Sequence, residues 1–161
     1  MTVYYQEIDS PLGGMLLTSN GEALTGCYFH AQKYFPEITE EWQSVKELAL
    51  FNEVTAAFES YFHSGNVCFN FPLAPQGTTF QQQVWEVLLR IPAGSTESYS
   101  ALALKMSRPS ATRAVAAAIG KNPISIIIPC HRVLGKNHSL TGYAGGLERK
   151  HALLALEGVM L

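Results

Sequence analysis

Ile124-Ser125-Ile126-Ile127-Ile128-Pro129-Cys130-His131-Arg132-Val133 is the stretch around which this 161-residue chain is organised. Ile124 to Ile128 is a short, apolar, β-branched run, the pattern of a fully buried strand. Pro129 ends it, because proline cannot donate to a ladder and holds the preceding residue extended. Cys130 is therefore expected at a strand end or on the first turn of a helix. There the free backbone N–H groups and the Arg132 charge would favour a thiolate, which makes Cys130 the candidate nucleophile. His131 does not face it, because adjacent side chains diverge in both strand and helix, so a water is needed to carry a proton between them.

The bulk properties allow one domain or two small ones: 47% of residues are hydrophobic and 15% charged, an ordinary globular composition. No apolar run is long enough to cross a bilayer. The N-terminus, Met1-Thr-Val-Tyr-Tyr-Gln-Glu7, lacks a basic segment followed by an apolar one, so a cytoplasmic protein is expected. Three cysteines without regular spacing do not form a disulfide framework. The net charge is −2 but unevenly spread: residues 1–80 set nine acids against Lys33 and Lys46, and residues 81–161 set nine bases against four acids. Between Ser98 and Lys150 there are eight basic residues and one acidic, a local footprint suited to a phosphate backbone.

The first part alternates strands and tight turns: Met1 to Ile8, Met15 to Thr18 and Leu24 to Phe29, with Asn20-Gly21 as a hairpin turn. Leu48, Phe51, Val54, Phe58 and Phe62 then share one helical face ahead of Gly65. Asn66 to Phe71 is a further strand candidate. Phe71-Pro-Leu-Ala-Pro-Gln-Gly77 reads as a linker, which divides the chain into 1–75 and 76–161. Thr79-Phe-Gln-Gln82 has a capping-box pattern and opens a helix through Phe80, Val84, Leu88 and Ile91. Ser98 to Met106, a turn at Ser107-Arg-Pro109, and a helix from Ala111 to Ile119 capped by Ser110 outline a helix-turn-helix. The alanines of that second helix allow close approach to a partner. Leu134 to Gly146 would form a wing, and Leu147 to Glu157 a last helix closed by Gly158. Cys27, His30, His63 and Cys68 have pairwise spacings that invite a zinc reading, but they alternate with strand residues and no metal is expected.

With these residues in place, the chain resembles the O6-alkylguanine-DNA alkyltransferases of bacterial type. The run Ile128-Pro-Cys-His-Arg-Val133 is that family's active-site motif. The likeness extends from Gly77 to Gly158, and before that it rests on Ser10-Pro-Leu-Gly13 and the Tyr28-Phe29 strand. It implies an α+β fold: an N-terminal β-sheet with a helix, RNase H-like, and a C-terminal winged helix-turn-helix domain. It also implies single-turnover alkyl transfer to Cys130 in double-stranded DNA containing O6-alkylguanine, by a monomer that needs no cofactor. O4-alkylthymine would be a second substrate.

Carried over by position, the resemblance makes Glu157 the carboxylate that orients His131 and Tyr99 the phenol that assists the departing base. Asn122 would organise the site. Arg113 would fill the gap left in the duplex, with Ser110, Ala111, Thr112, Ala114 and Arg132 beside it on DNA. Tyr143, Ala144, Gly145 and Val133 would form the substrate pocket. Ala116 stands where many relatives have glycine and Ala144 where some have serine, which bears on the alkyl size accepted. The rival readings are a non-catalytic DNA-lesion sensor, which would lack Cys130, and a cysteine hydrolase, for which no other histidine has a supporting motif.

Overall fold

A computed structural model describes residues 2–161; Met1, included above in the first strand, lies outside the described residues. The N-terminal part is a four-stranded sheet, β1 (Tyr4–Ile8), β2 (Met15–Ser19), β3 (Leu24–Phe29) and β4 (Gln43–Ser44), in the order β3-β2-β1-β4. The Asn20-Gly21 signal does turn the chain. Asn20 Oδ1 accepts from the N–H groups of Glu22 and Ala23, both at 2.9 Å, and Gly21 supplies φ 101°. β1 and β3 flank β2 antiparallel, and every β2 residue is buried. β4, which the sequence reading did not anticipate, is two residues long and parallel to β1.

α1 (Ala49–Ser64) buries Leu50, Phe51, Val54, Phe58 and Tyr61. It ends at Gly65, whose φ of 74° suits a residue without Cβ. Space requires glycine there too, because a Cβ at Gly65 would lie 2.1 Å from the Leu156 carbonyl oxygen. Residues 66–71 are not a strand; the chain regains a single parallel bridge to the sheet at Leu73, opposite Leu24.

The C-terminal part holds α2 (Thr79–Leu88), β5 (Glu97–Ser98), α3 (Tyr99–Lys105), α4 (Thr112–Gly120), β6 (Val133–Leu134) and α5 (Leu147–Leu156). The capping box is one residue earlier than expected: Thr78 Oγ1 accepts from Gln81 N and Gln81 Oε1 accepts from Thr78 N. α2 stops at Leu88 and leaves Ile91 in the following turn. Ser110 does not cap α4. The turn closed by Ala111 N donating to Arg108 O makes Ala111 the boundary residue, without a side-chain cap. Trp85 ties α2 to α4 through Nε1 donating to Ala118 O at 2.9 Å.

The expected strand over Ile124–Ile128 is a compact loop. Ile124 alone bridges Cys27 of β3, with Cys27 N donating to Pro123 O and Ser125 N to Cys27 O. At Ile126 the chain reverses in a three-residue turn, φ 71°, closed by Ile127 N to Ser125 O at 2.8 Å. A β-branched residue in the left-handed region is an outlier of backbone geometry. The isoleucines are buried all the same, so their composition reported burial but not the path. One buried cluster runs from β2, β3 and α1 through this loop to α2, α4 and α5, so the sheet directly supports the segment that carries Cys130.

Candidate active site

Pro129 bounds a 3₁₀ turn, Cys130–Arg132, and Cys130 N donates to Ile128 O. Asn122, just after α4, holds this loop with both ends of its amide. Oδ1 accepts from Ile124 N at 2.9 Å, while Nδ2 reaches Ile128 O at 2.8 Å and Cys130 Sγ at 3.2 Å. Cys130 is 6% exposed, and burial raises its thiol pKa; the Asn122 hydrogen bond and the Lys150 charge act the other way.

His131 is fully buried. Its Nε2 lies 2.8 Å from Glu157 Oε2, and an ionised carboxylate only accepts, so Nε2 carries the proton and Nδ1 the lone pair. Nδ1 is buried and has no hydrogen-bond partner among the described residues. Burial lowers the His131 pKa against the opposing pull of Glu157, so the ring is a neutral base. Burial alone would raise Glu157, but hydrogen bonds from His131, Arg132 and Tyr61 bring it down to about 2. Tyr61 Oη donates to Oε2 at 2.5 Å, and Arg132 grips both oxygens, Nε to Oε1 at 2.8 Å and Nη2 to Oε2 at 3.0 Å.

The structure overturns two expectations for Arg132. It is 8% exposed, and its remaining amine donates to Ile91 O, so the guanidinium is turned inward and is not a DNA contact. Nor is it the cation that favours the thiolate, because Glu157 neutralises it. The charge acting on the sulfur is Lys150, buried on α5 and donating to Thr141 O and Gly142 O. Burial lowers Lys150 to about 8.

Cys130 lies at the inner end of a cavity of about 520 Å³ lined by Tyr99, Ala116, Tyr143 and Ala144 among others. Thr141 Oγ1 donates to Tyr99 Oη at 3.4 Å. Val133 and Gly145 do not line it. Val133 is buried in β6, and Gly145 sits behind Tyr143, where a Cβ would come within 2.7 Å of the ring. On α4, Arg113 and Ala114 are exposed and Ala111 and Thr112 half-buried, with Ser110 exposed just before them. Cys27 is in the core and Cys68 exposed, and no three His, Cys, Asp or Glu side chains among the described residues gather as a metal-binding set.

The sequence reading missed Tyr61, Lys150, Lys33, Tyr34, Ala117 and Lys121. Tyr61 was accessible to it, three residues after Phe58 on the buried face of α1. Lys150, in Leu-Glu-Arg-Lys, looks like one more charge on a solvated helix.

Comparison with known proteins places the same architecture in one family. Residues 3–75 match the 6-O-methylguanine DNA methyltransferase, ribonuclease-like domain, and residues 79–159 match the DNA binding domain of the same proteins. The methylated-DNA--protein-cysteine methyltransferase of Haemophilus influenzae is 48% identical, across 98% of this chain and 87% of its own length. That of Methanosarcina acetivorans is 43% identical, across 97% and 99%. The crystal structure of Mycobacterium tuberculosis O6-methylguanine methyltransferase superposes with a TM-score of 0.86 at 44% identity, covering 96% of this chain and 92% of the other. Mycobacterium tuberculosis OGT in complex with DNA gives 0.85 at 40%, covering 98% and 92%. With both halves matched and the two-part fold shared, this chain belongs to the 6-O-methylguanine DNA methyltransferase family.

Proposed function

We propose that this protein repairs DNA by moving an alkyl group, typically methyl, from O6 of guanine to the sulfur of Cys130, irreversibly and once per molecule. The observation that carries the reading is the placement of a hydrogen-bonded thiol at the inner end of a cavity large enough for a nucleobase, backed by the buried His131–Glu157 pair. Cys130 Sγ gives up its proton, through a water, to the lone pair on His131 Nδ1, and Glu157 stabilises the imidazolium that forms. Asn122 Nδ2 and Lys150 stabilise the thiolate. The sulfur attacks the alkyl carbon as the C–O bond breaks, and the electron pair stays with guanine, whose departure Tyr99 assists by donating a hydrogen bond. A C–S bond replaces a C–O bond, so the step balances without a cofactor. The thioether has no ready leaving path, which makes the transfer stoichiometric.

A stacked guanine cannot reach a buried sulfur, so the nucleotide must rotate out of the duplex, at a cost of a few kcal/mol. The exposed face of α4 supports this: Arg113 would fill the gap while Ala114 and Ala117 let the helix approach the groove. The relative solved in complex with DNA supports a DNA partner. We further place the protein in the cytoplasm as a monomer, where three free cysteines fit a reducing compartment, and extend its substrates to O4-alkylthymine.

The test is incubation with a duplex carrying one O6-methylguanine, followed by peptide mapping. The methyl group is expected on the peptide containing Cys130, and Cys130→Ala should bind the duplex but accept no methyl. A methyl group found elsewhere, or transfer by the alanine variant, would refute the assignment.

A further inference from the structure

The outer end of the Cys130 cavity is built by a turn of the N-terminal part. Lys33 and Tyr34 line it, facing Lys121 at the end of α4. Tyr34 is 54% exposed, and two ammonium groups converge on its ring, Lys33 Nζ at 5.2 Å and Lys121 Nζ at 5.9 Å from the centroid. Neither lysine has a carboxylate within ion-pair distance among the described residues. Residues 1–80 contain only two basic residues, and one of them is placed here.

The backbone of this turn is strained and firmly anchored. Ala31 and Tyr34 have φ of 64° and 62°, in the left-handed region that a residue with a Cβ rarely adopts. A tyrosine more than half exposed gains little burial to offset that, and such outliers collect where a ligand is gripped. Lys33 N donates to Ala144 O at 2.9 Å, which ties the turn to the loop of the pocket wall. The buried Gln32 braces it from below, accepting from Phe29 N at 2.8 Å and donating to Lys33 O at 3.2 Å. Lys121 in turn lies four and eight residues beyond Ala117 and Arg113, so one row of α4 runs from an arginine over alanine to this lysine.

We propose that Tyr34 with Lys33 and Lys121 is a nucleotide clamp: the tyrosine packs on the extrahelical nucleotide as its base enters the cavity, and the two ammonium groups hold the phosphates on either side of it. The inference rests on the alkyl-transfer reading above. An aromatic face with flanking cations is the chemistry that grips an unstacked nucleotide in a sequence-tolerant way. It gives the N-terminal part a direct role in substrate binding.

The probes are O6-methyl-2′-deoxyguanosine and its 3′,5′-bisphosphate, with the rate of Cys130 methylation as readout. Wild type is expected to prefer the bisphosphate. Lys33→Ala and Lys121→Ala should each lower that preference about threefold, the scale of an exposed ion pair. Each should also reduce the salt slope of duplex binding by about one. Tyr34→Ala should slow both probes, and Lys46→Ala, outside the cavity, should keep the wild-type preference and slope. A wild type that methylates Cys130 equally from both probes, or lysine variants with unchanged preference and salt slope, overturns the clamp. A wild type unreactive towards both probes and towards lesion-bearing duplex overturns the alkyl-transfer reading instead.

Discussion

Glu157→Gln separates what Glu157 does for stability from what it does for chemistry. The carboxylate receives four hydrogen bonds, from Tyr61, His131 and twice from Arg132, with its side chain fully buried. Glutamine keeps the shape but removes the charge, and its amide cannot accept on both arms. Arg132 is then a buried cation without a counter-charge, and breaking a buried ion pair costs about 3–5 kcal/mol. For a chain of this length that lowers Tm by on the order of 10 °C. The depressed Glu157 pKa sets the pH window. Its stabilisation is complete above the ordinary carboxyl value and lost as pH falls from 4.5 towards about 2, so the Tm gap between wild type and variant should close over that range. Benzylation of Cys130 by free O6-benzylguanine, at a temperature where both proteins are folded, should slow by roughly 10²–10⁴-fold, because an amide neither fixes the proton on His131 Nε2 nor stabilises the imidazolium and so disables the base. A variant within twofold of wild type in rate, or a Tm gap that stays constant down to pH 2, would refute the role given to this carboxylate.

Asn122→Ala deletes the hydrogen bond to Sγ, which becomes charge-assisted once the thiolate forms, and should slow methylation by roughly 10- to 100-fold; an unchanged rate would contradict it. Burial brings Lys150 from 10.5 down to about 8, so between those values the unfolded chain holds a proton the folded one has released. Wild type should therefore gain stability relative to Lys150→Met as pH rises through that window, and a flat or falling Tm difference would disprove it. Ala116 lines the cavity, so Ala116→Gly should raise the rate on O6-benzylguanine relative to O6-methylguanine; an unchanged ratio would show that Ala116 does not limit alkyl size.

Strands β1 to β3, the helical period of α1 and the motif around Cys130 were legible because each is local: alternation, spacing and turn chemistry lie within a few residues. Even there the capping box at Thr78 fell one residue from its expected place, since Thr78 and Thr79 both satisfy the pattern within one position. The isoleucine run misled because burial and strand geometry share a composition. What bends it into a loop is the Asn122 amide, which serves the backbone groups that a ladder would otherwise take up. Arg132 was misread for a related reason. Its partners, Glu157 and Ile91, lie 25 and 41 residues away, and nothing adjacent in sequence marks it as buried. Lys33 and Lys121 meet over Tyr34 only because the two parts of the chain pack together, so no local pattern could have paired them.

The central claim is that one sulfur takes up one alkyl group and is consumed. Titrating the protein with an excess of duplex carrying O6-methylguanine, and counting repaired lesions per chain alongside intact mass, tests it most directly. The account predicts one lesion repaired per chain, one added CH2 in mass, and no reaction thereafter; continued repair by the same molecules, or repair without any gain in mass, would contradict it.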